Sequence, residues 1–275
     1  MIGLFTDSNA QLPADLRERY QVGVVPLTVV LDGQPYREGI DITTGDFYAR
    51  LAAGAEVSTA APSPGEVLAA YEDAVTAGAT EILSIHIGSN TSATVNAVKV
   101  AAGSSPVPVE IVDTGTASFA VACCVWAAGE VLNAGGDLTH AADVAREVAG
   151  RVGNVFVVGA LDLARRGGRL AADATEGDWV PVLALADGQM SAVGHVHDVE
   201  SAVDAMTDYF IEVAAGAPQR VGVGDALTPG LADEYAARLA ARPEVAELVR
   251  YEVGPSIGAH TGAGTVGACF FPVRL

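Results

Sequence analysis

Short apolar runs alternate with Ala/Val-rich stretches of helical period along the first half of this chain. That alternation limits the fold more than any other feature. "EILSIHI" gives way to "SATVNAVKVAA", and "VPVEIVDT" gives way to a long apolar helix over Thr116–Asn133. Upstream, "MIGLFTDSNAQLP" reads as a strand ending at Thr6-Asp7-Ser8, then a short helix opened by Pro13. "VGVVPLTVVLDG" is strand material, closed by an Asp32-Gly33 turn before Tyr36. A helix is expected near Gly45–Ala53. Ser63-Pro64-Gly65-Glu66 is a capping box with proline at the first helical position. Val67, Leu68, Tyr71 and Val75 then share one helix face. Strands that alternate with helices imply βαβ units and a largely parallel sheet through about residue 150.

A second rhythm follows "VFVVGALDLARRGGRLA". "DWVPVLALADGQMSAVGHV" reads as a hairpin pinned by Asp187-Gly188. Helices near Glu200–Ala215 and Pro229–Ala241 alternate with "RVGVGDA" and "AELVRYEVG". "SIGAHTGAGTVGACFFP" reads as a glycine-rich turn returning to strand. The expectation is an α/β protein of two α/β domains, residues 1–150 and 151–275.

Charge narrows the function. Acidic residues outnumber basic ones 34 to 15, a net charge of −19. Nucleic acid and anionic membrane surfaces need a basic footprint, so neither is expected as a partner. A small anionic ligand remains compatible, because its binding depends on a local site. The one lysine, Lys99, lies mid-helix outside any phosphate-loop context. Cys123, Cys124 and Cys269 form no C-x-x-C, and the adjacent pair reads as small buried hydrophobes. His195 and His197 alternate on one strand face but lack a nearby third ligand, so a solvated hairpin is the simpler reading. No apolar stretch is long and uncharged enough to span a bilayer. The N-terminus enters a strand without a basic stretch, which points away from a signal peptide and toward the cytoplasm.

Ligands of parallel α/β sheets sit beyond the carboxyl ends of the strands. Thr6-Asp7-Ser8, Ser58-Thr59, Ser89–Thr94 and Asp113-Thr114 are expected at that edge. Each alone is ordinary turn and cap chemistry. Together they make a hydroxyl-rich cleft short of catalytic groups, and hydroxyls beside a helix start suit an anion. In the second half, Gly167-Gly168 permits a tight turn that aims Arg169, and "GAHTGAG" sets His260 and Thr261 among glycines. No nucleophile elbow accompanies Ser92, and no zinc-binding signature or carboxylate pair is present. A Ser92/His260 acyl hydrolase stands as an alternative, with Asp7 or Asp113 as the orienting acid.

The chain resembles the DegV family of fatty-acid-binding proteins, which partner a bacterial fatty acid kinase. The resemblance covers essentially the whole chain. It rests on Thr6-Asp7-Ser8, on Thr59-Ala60-Ala61-Pro62-Ser63, and on Ser89-Asn90-Thr91-Ser92-Ala93-Thr94. Asp113-Thr114, Gly167-Gly168-Arg169 and Gly258-Ala259-His260-Thr261-Gly262-Ala263-Gly264 complete it. Three positions depart from the family pattern: Ala60 replaces Ser, Ala93 replaces Gly, and Ala263 replaces Pro. The resemblance implies a long-chain fatty acid held between two α/β domains. Its carboxylate meets Thr59, Ser92, Arg169 and His260, with Ala93 and Thr261 beside them. It also implies a carrier without cofactor or chemistry of its own, serving a separate kinase of dihydroxyacetone-kinase type. A triose- or sugar-binding module, from a distant likeness to dihydroxyacetone kinase domains, is the other alternative.

Overall fold

The computed structural model describes residues 1–166, 168, 179–186 and 188–274. The protein divides into two compact units, Met1–Gly150 and Arg151–Leu275.

In the first unit the chain runs β1 (Ile2–Asp7), α1 (Ala14–Arg19), β2 (Gly23–Val25), β3 (Thr28–Leu31) and β4 (Gln34–Arg37). It continues through α2 (Thr44–Ala52), β5 (Val57–Ala60), α3 (Pro64–Thr76), β6 (Glu81–His86) and α4 (Thr94–Ala102). β7 (Val109–Asp113), α5 (Phe119–Asn133) and α6 (Leu138–Ala149) complete it. The sheet β2-β1-β6-β7 is parallel throughout. From β1 the chain feeds β2 on one side, while β6 lies on the other. The carboxyl ends of β1 and β6 therefore flank the point where connections diverge, the usual ligand edge of such sheets.

One run expected as continuous strand is split. Pro26 separates β2, which joins the parallel sheet, from β3, which starts an antiparallel sheet β4-β3-β5. Proline has no N–H to continue a ladder, so the chain changes sheets there. Asp32 and Gly33, with φ of 50° and 80°, then reverse it into β4.

The α3/α4 face of the parallel sheet is closed by Phe5, Val25, Val67, Tyr71, Ile82, Val98 and Ala101. α5 is buried continuously from Phe119 to Gly129, Cys123 and Cys124 included. A helix apolar on all sides has to be interior.

The second unit contains β8 (Gly153–Val157), α7 (Leu161–Arg166), β9 (Val180–Ala186), β10 (Gln189–Val196) and α8 (Ala202–Ala214). β11 (Gln219–Asp225), α9 (Pro229–Ala240), β12 (Val245–Glu252), α10 (Pro255–Thr261) and β13 (Val266–Pro272) follow. Its sheet runs β10-β9-β8-β13-β11-β12, antiparallel except for the β11/β12 pair. Val155, Val157, Val223 and Phe270 of the sheet pack on Met206 and Phe210 of α8 and Tyr235 of α9. The hairpin β9–β10 forms as its turn chemistry predicts, with Gly188 at φ 77°; Asp187 lies outside the described residues.

Candidate functional site

The Ser89–Thr94 segment folds as a tight turn hung on one carbonyl. Gly88 O accepts the backbone N–H of Thr91 and of Ser92, each at 3.0 Å, and the Thr91 hydroxyl at 2.9 Å. Ser92 Oγ then accepts Thr94 N–H at 3.2 Å and pairs with Thr94 Oγ1 at 2.8 Å. Ser92 is thus the side-chain cap of α4, although Ala93 holds the capping backbone position. Ala93 has φ −77°, an ordinary value for any residue, so alanine is accommodated there without strain. The first turn of α4 carries no acidic residue. The positive end of its dipole stands beside the half-buried Ser92 hydroxyl, which is anion-binding chemistry.

A second loop braces this turn. Gly88 N–H donates to Thr116 O at 2.8 Å, and Asn90 Nδ2 to Gly115 O at 3.1 Å. Gly88 has to be glycine, since a Cβ there would lie 2.6 Å from the Gly115 carbonyl carbon. Asp113 receives the N–H groups of Ser89 and Gly115 at 3.0 and 3.2 Å. Desolvation is the largest single influence on its carboxyl and pushes upward. The bonds from Ser89 and Gly115 together outweigh it, and the carboxyl titrates below its ordinary range.

Beneath these loops lies a wholly buried polar chain. Asp7 Oδ2 faces His86 Nδ1 at 2.8 Å, His86 Nε2 faces Ser84 Oγ at 2.6 Å, and Ser84 Oγ meets Tyr71 OH at 2.7 Å. Asp7 also accepts Ile87 N–H at 3.0 Å and Asn9 N–H at 3.1 Å. A carboxylate only accepts, so His86 carries its proton on Nδ1. Burial pushes the Tyr71 phenol up to about 12, with the Ser84 bond pulling the other way. It therefore stays protonated and donates to Ser84. The arrangement that leaves no hydrogen without an acceptor runs one way, from Tyr71 through Ser84 and His86 to Asp7.

Asp7 is thus an internal hub rather than a cleft-lining group, and Thr6 is buried as well. Sequence reading placed Tyr71 on the apolar face of its helix and passed over Ser84 and His86. The available signal was two polar residues at i and i+2 inside the apolar strand "EILSIHI".

Thr59 sits on β5, opposite Val29 of β3, and is half-buried. It belongs to the antiparallel sheet β4-β3-β5, not to a strand of the parallel sheet. The capping box does form, with Ser63 N–H donating to Glu66 at 2.8 Å and Glu66 N–H to Ser63 Oγ at 3.2 Å. It opens α3 only after the chain has left β5, the strand that holds Thr59.

In the second unit, "GAHTGAG" is not a free turn. His260 and Thr261 form the last turn of α10, which Pro255 opens. Thr261 is buried, and its hydroxyl donates to Ile257 O at 3.3 Å. Gly262, at φ 77°, ends the helix. Ala160 N–H donates to Thr261 O at 2.9 Å, and Gly159 N–H to Thr265 Oγ1 at 3.2 Å. The Ala263 carbonyl presses so closely on Gly159 that a Cβ there would lie 1.6 Å from its oxygen. The segment entering α7, which leads to Gly167-Gly168-Arg169, is thereby fastened to the His260 turn. Gly168 N–H donates to Arg165 O at 3.0 Å with φ 67°; Gly167 and Arg169 lie outside the described residues. The structure thus brings Ser92 and Thr59 into the first unit, and His260 and Thr261 into the second. Among the described residues no cluster of His, Cys, Asp and Glu suits a metal ion.

Known proteins share this architecture. The family model described as "Uncharacterised protein, DegV family" matches residues 1–273. The chain belongs to the DegV family. A DegV domain-containing protein of Streptomyces coelicolor is 37% identical over 271 residues, covering 97% of this chain and 96% of that protein. One from Mycobacterium bovis is 33% identical over 270 residues, covering 96% and 95%. A DegV structure from Thermus thermophilus, reported for its fatty acid binding, superposes with a TM-score of 0.92 at 31% identity, covering 99% of both chains. Bacillus subtilis DegV, described as a fatty acid binding protein, gives 0.87 at 26% identity, covering 98% and 99%. With these DegV proteins the chain shares the mixed α/β architecture and the parallel sheet β2-β1-β6-β7.

Proposed function

We propose that this DegV protein binds a long-chain fatty acid, shields its acyl chain and presents the carboxylate to a separate fatty acid kinase for acyl-phosphate formation. The observation that carries the reading is the Ser92 hydroxyl at the acid-free N-terminus of α4, on the ligand edge of a DegV fold. Such a site supplies hydrogen-bond donors and positive potential without a reactive group. Thr59 and Ser92 donate to the carboxylate. Arg169 and His260 supply charge and a further polar contact, with Ala93 and Thr261 alongside. Burying ~14 methylenes contributes roughly 11 kcal/mol at about 0.8 each, before association costs. The carrier works in the cytoplasm, where ATP reaches the kinase. Among the described residues no helix is long and apolar enough to cross a membrane.

Besides the Ser92/His260 hydrolase alternative, the first unit holds a second Ser–His–Asp line. Asp7, His86 and Ser84 follow the bond order of an acyl-hydrolase triad, but Ser84 is fully buried and already bonded to Tyr71. A nucleophile sealed in this way does not meet a substrate. Calorimetric titration with palmitate, beside dihydroxyacetone and a p-nitrophenyl ester assay, tests the proposal. Saturable palmitate binding with no triose binding and no ester turnover is expected. Triose binding or an acyl-enzyme burst would replace the carrier reading.

A further inference from the structure

Three consecutive side chains at the end of β1 reach three different parts of the first unit. Asp7 holds Ile87 N–H at 3.0 Å, and the next residue, Gly88, bears the carbonyl on which the Ser92 turn hangs. Ser8 Oγ accepts Leu27 N–H at 2.9 Å and donates to the buried Glu38 carboxylate. Glu38 N–H returns to Leu27 O at 2.9 Å, which closes a clamp where the chain crosses into β3. Val29 of β3 pairs directly with Thr59 of the neighbouring strand β5. Asn9 Oδ1 accepts Ser118 N–H at 2.9 Å. Ser118 caps α5 at φ 61°, ψ −150°, a conformation that residues with side chains avoid. It ends the same loop that braces the Ser92 turn through Thr116 and Gly115.

We propose that Asp7, Ser8 and Asn9 are positioning residues that fix the Ser92 turn relative to the Thr59 strand, and that this fixed spacing makes the site select a carboxylate over an uncharged head on the same chain. The proposal rests on the fatty-acid reading above. Its physical basis is the steep dependence of hydrogen bonds on distance and angle. Two hydroxyls on separate sheets serve one carboxylate only if something rigid sets their separation. β1 is that element, because it lies inside the parallel sheet between β2 and β6. The acyl chain draws on apolar area, which small shifts of a hydroxyl barely alter. Loosening the hub therefore erodes recognition of the head and leaves that of the tail.

The test compares palmitate with hexadecanol on wild type, Ser8→Ala and Asp7→Asn, with Ser8→Ala also combined with Thr59→Ala. Wild type should favour palmitate. Each single variant should lose about tenfold in palmitate affinity while its hexadecanol affinity holds. A general loss of packing would weaken both ligands together, and that result, or unchanged selectivity in the variants, overturns the positioning role. Should Asp7→Asn fail to fold, the half-buried Ser8 still decides. Adding Thr59→Ala to Ser8→Ala should cost less than Thr59→Ala costs alone, and strict additivity would count against the clamp. Wild type that binds neither ligand removes the fatty-acid reading and this inference with it. Wild type that binds palmitate beside unselective variants removes this inference only.

Discussion

Asp7 and His86, 79 positions apart in the chain, meet at 2.8 Å with both side chains fully shielded from solvent. That contact ties the first strand of the parallel sheet to the third in chain order, β6, at the edge from which the Ser92 turn departs. Tyr71 and Ser84 extend it into the α3 face. The polar chain is complete only when every member is present, so its far end is a sensitive place to cut. Tyr71→Phe keeps the packing against Phe5 and removes one hydroxyl. It should cost about 0.5–1.5 kcal/mol in denaturant unfolding, typical of a buried hydrogen bond. An unchanged unfolding midpoint would mean that Ser84 needs no donor there.

Ser92→Ala and Thr59→Ala should each lose about 1.5–3 kcal/mol of fatty-acid affinity, the range for hydrogen bonds to a charged group. Ser92 also caps α4, so its variant should lose about 1 kcal/mol of stability as well. Thr59→Ala, within a strand, has no cap to lose. Calorimetry and thermal melts on both variants separate the two effects. Full affinity in both would remove these residues from the site.

Much of this arrangement was legible in the residues. The α3 capping box, the apolar α5 and the alternation through β6, α4, β7 and α5 all follow from local patterns, because caps and periodicity act within a few positions. The departure of β3 from the parallel sheet was not legible. Pro26 marks a break, but which sheet the chain joins next is decided by pairing with β5, far along the sequence. For that reason the local residues did not announce that Thr59 lies on a strand of a second, antiparallel sheet. His260 was read in a turn because glycines crowd its motif. Pro255 and the Gly262 cap instead close a short helix around it. Asp7 was read at the ligand edge, as part of Thr6-Asp7-Ser8 and as a candidate orienting acid. Its true partner, His86, lies inside an apolar strand that local sequence marks simply as buried.

Asp113 offers a pH test. Its carboxyl sits below the ordinary range because the bonds from Ser89 and Gly115 outweigh its desolvation. A depressed carboxyl adds stability that is present above its unfolded value and is lost as pH falls through its folded value. Asp113→Asn should therefore be less stable than wild type at neutral pH, and the two melting curves should converge in acid. A gap that persists unchanged down to strongly acidic pH would show that the Asp113 charge is not what braces the Ser89 turn.

The proposed function assigns Arg169 the fixed positive charge of the head-group site. Arg169→Ala should weaken palmitate binding, and if the proposed contact is two-pronged Arg169→Lys should not restore it, because an ammonium cannot reproduce that geometry. Full recovery by lysine would reduce Arg169 to a point charge.

His260 should matter more to phosphoryl transfer than to storage. Its turn is fastened to the segment entering α7 through Thr261 and Ala160, so its backbone is fixed whether or not the imidazole is present. His260→Ala should keep most palmitate affinity and lose acyl-phosphate formation when mixed with the kinase and ATP. Parallel loss of both would assign it to binding or folding, and normal turnover would remove it from the transfer step.

Native mass spectrometry of the protein purified from a bacterial host bears most directly on the carrier function. The account predicts a population heavier than the bare chain by the mass of one long-chain fatty acid, released on denaturation and absent from the variant lacking both the Ser92 and Thr59 hydroxyls. A protein that carries no such mass, and takes up none when palmitate is added, would contradict it.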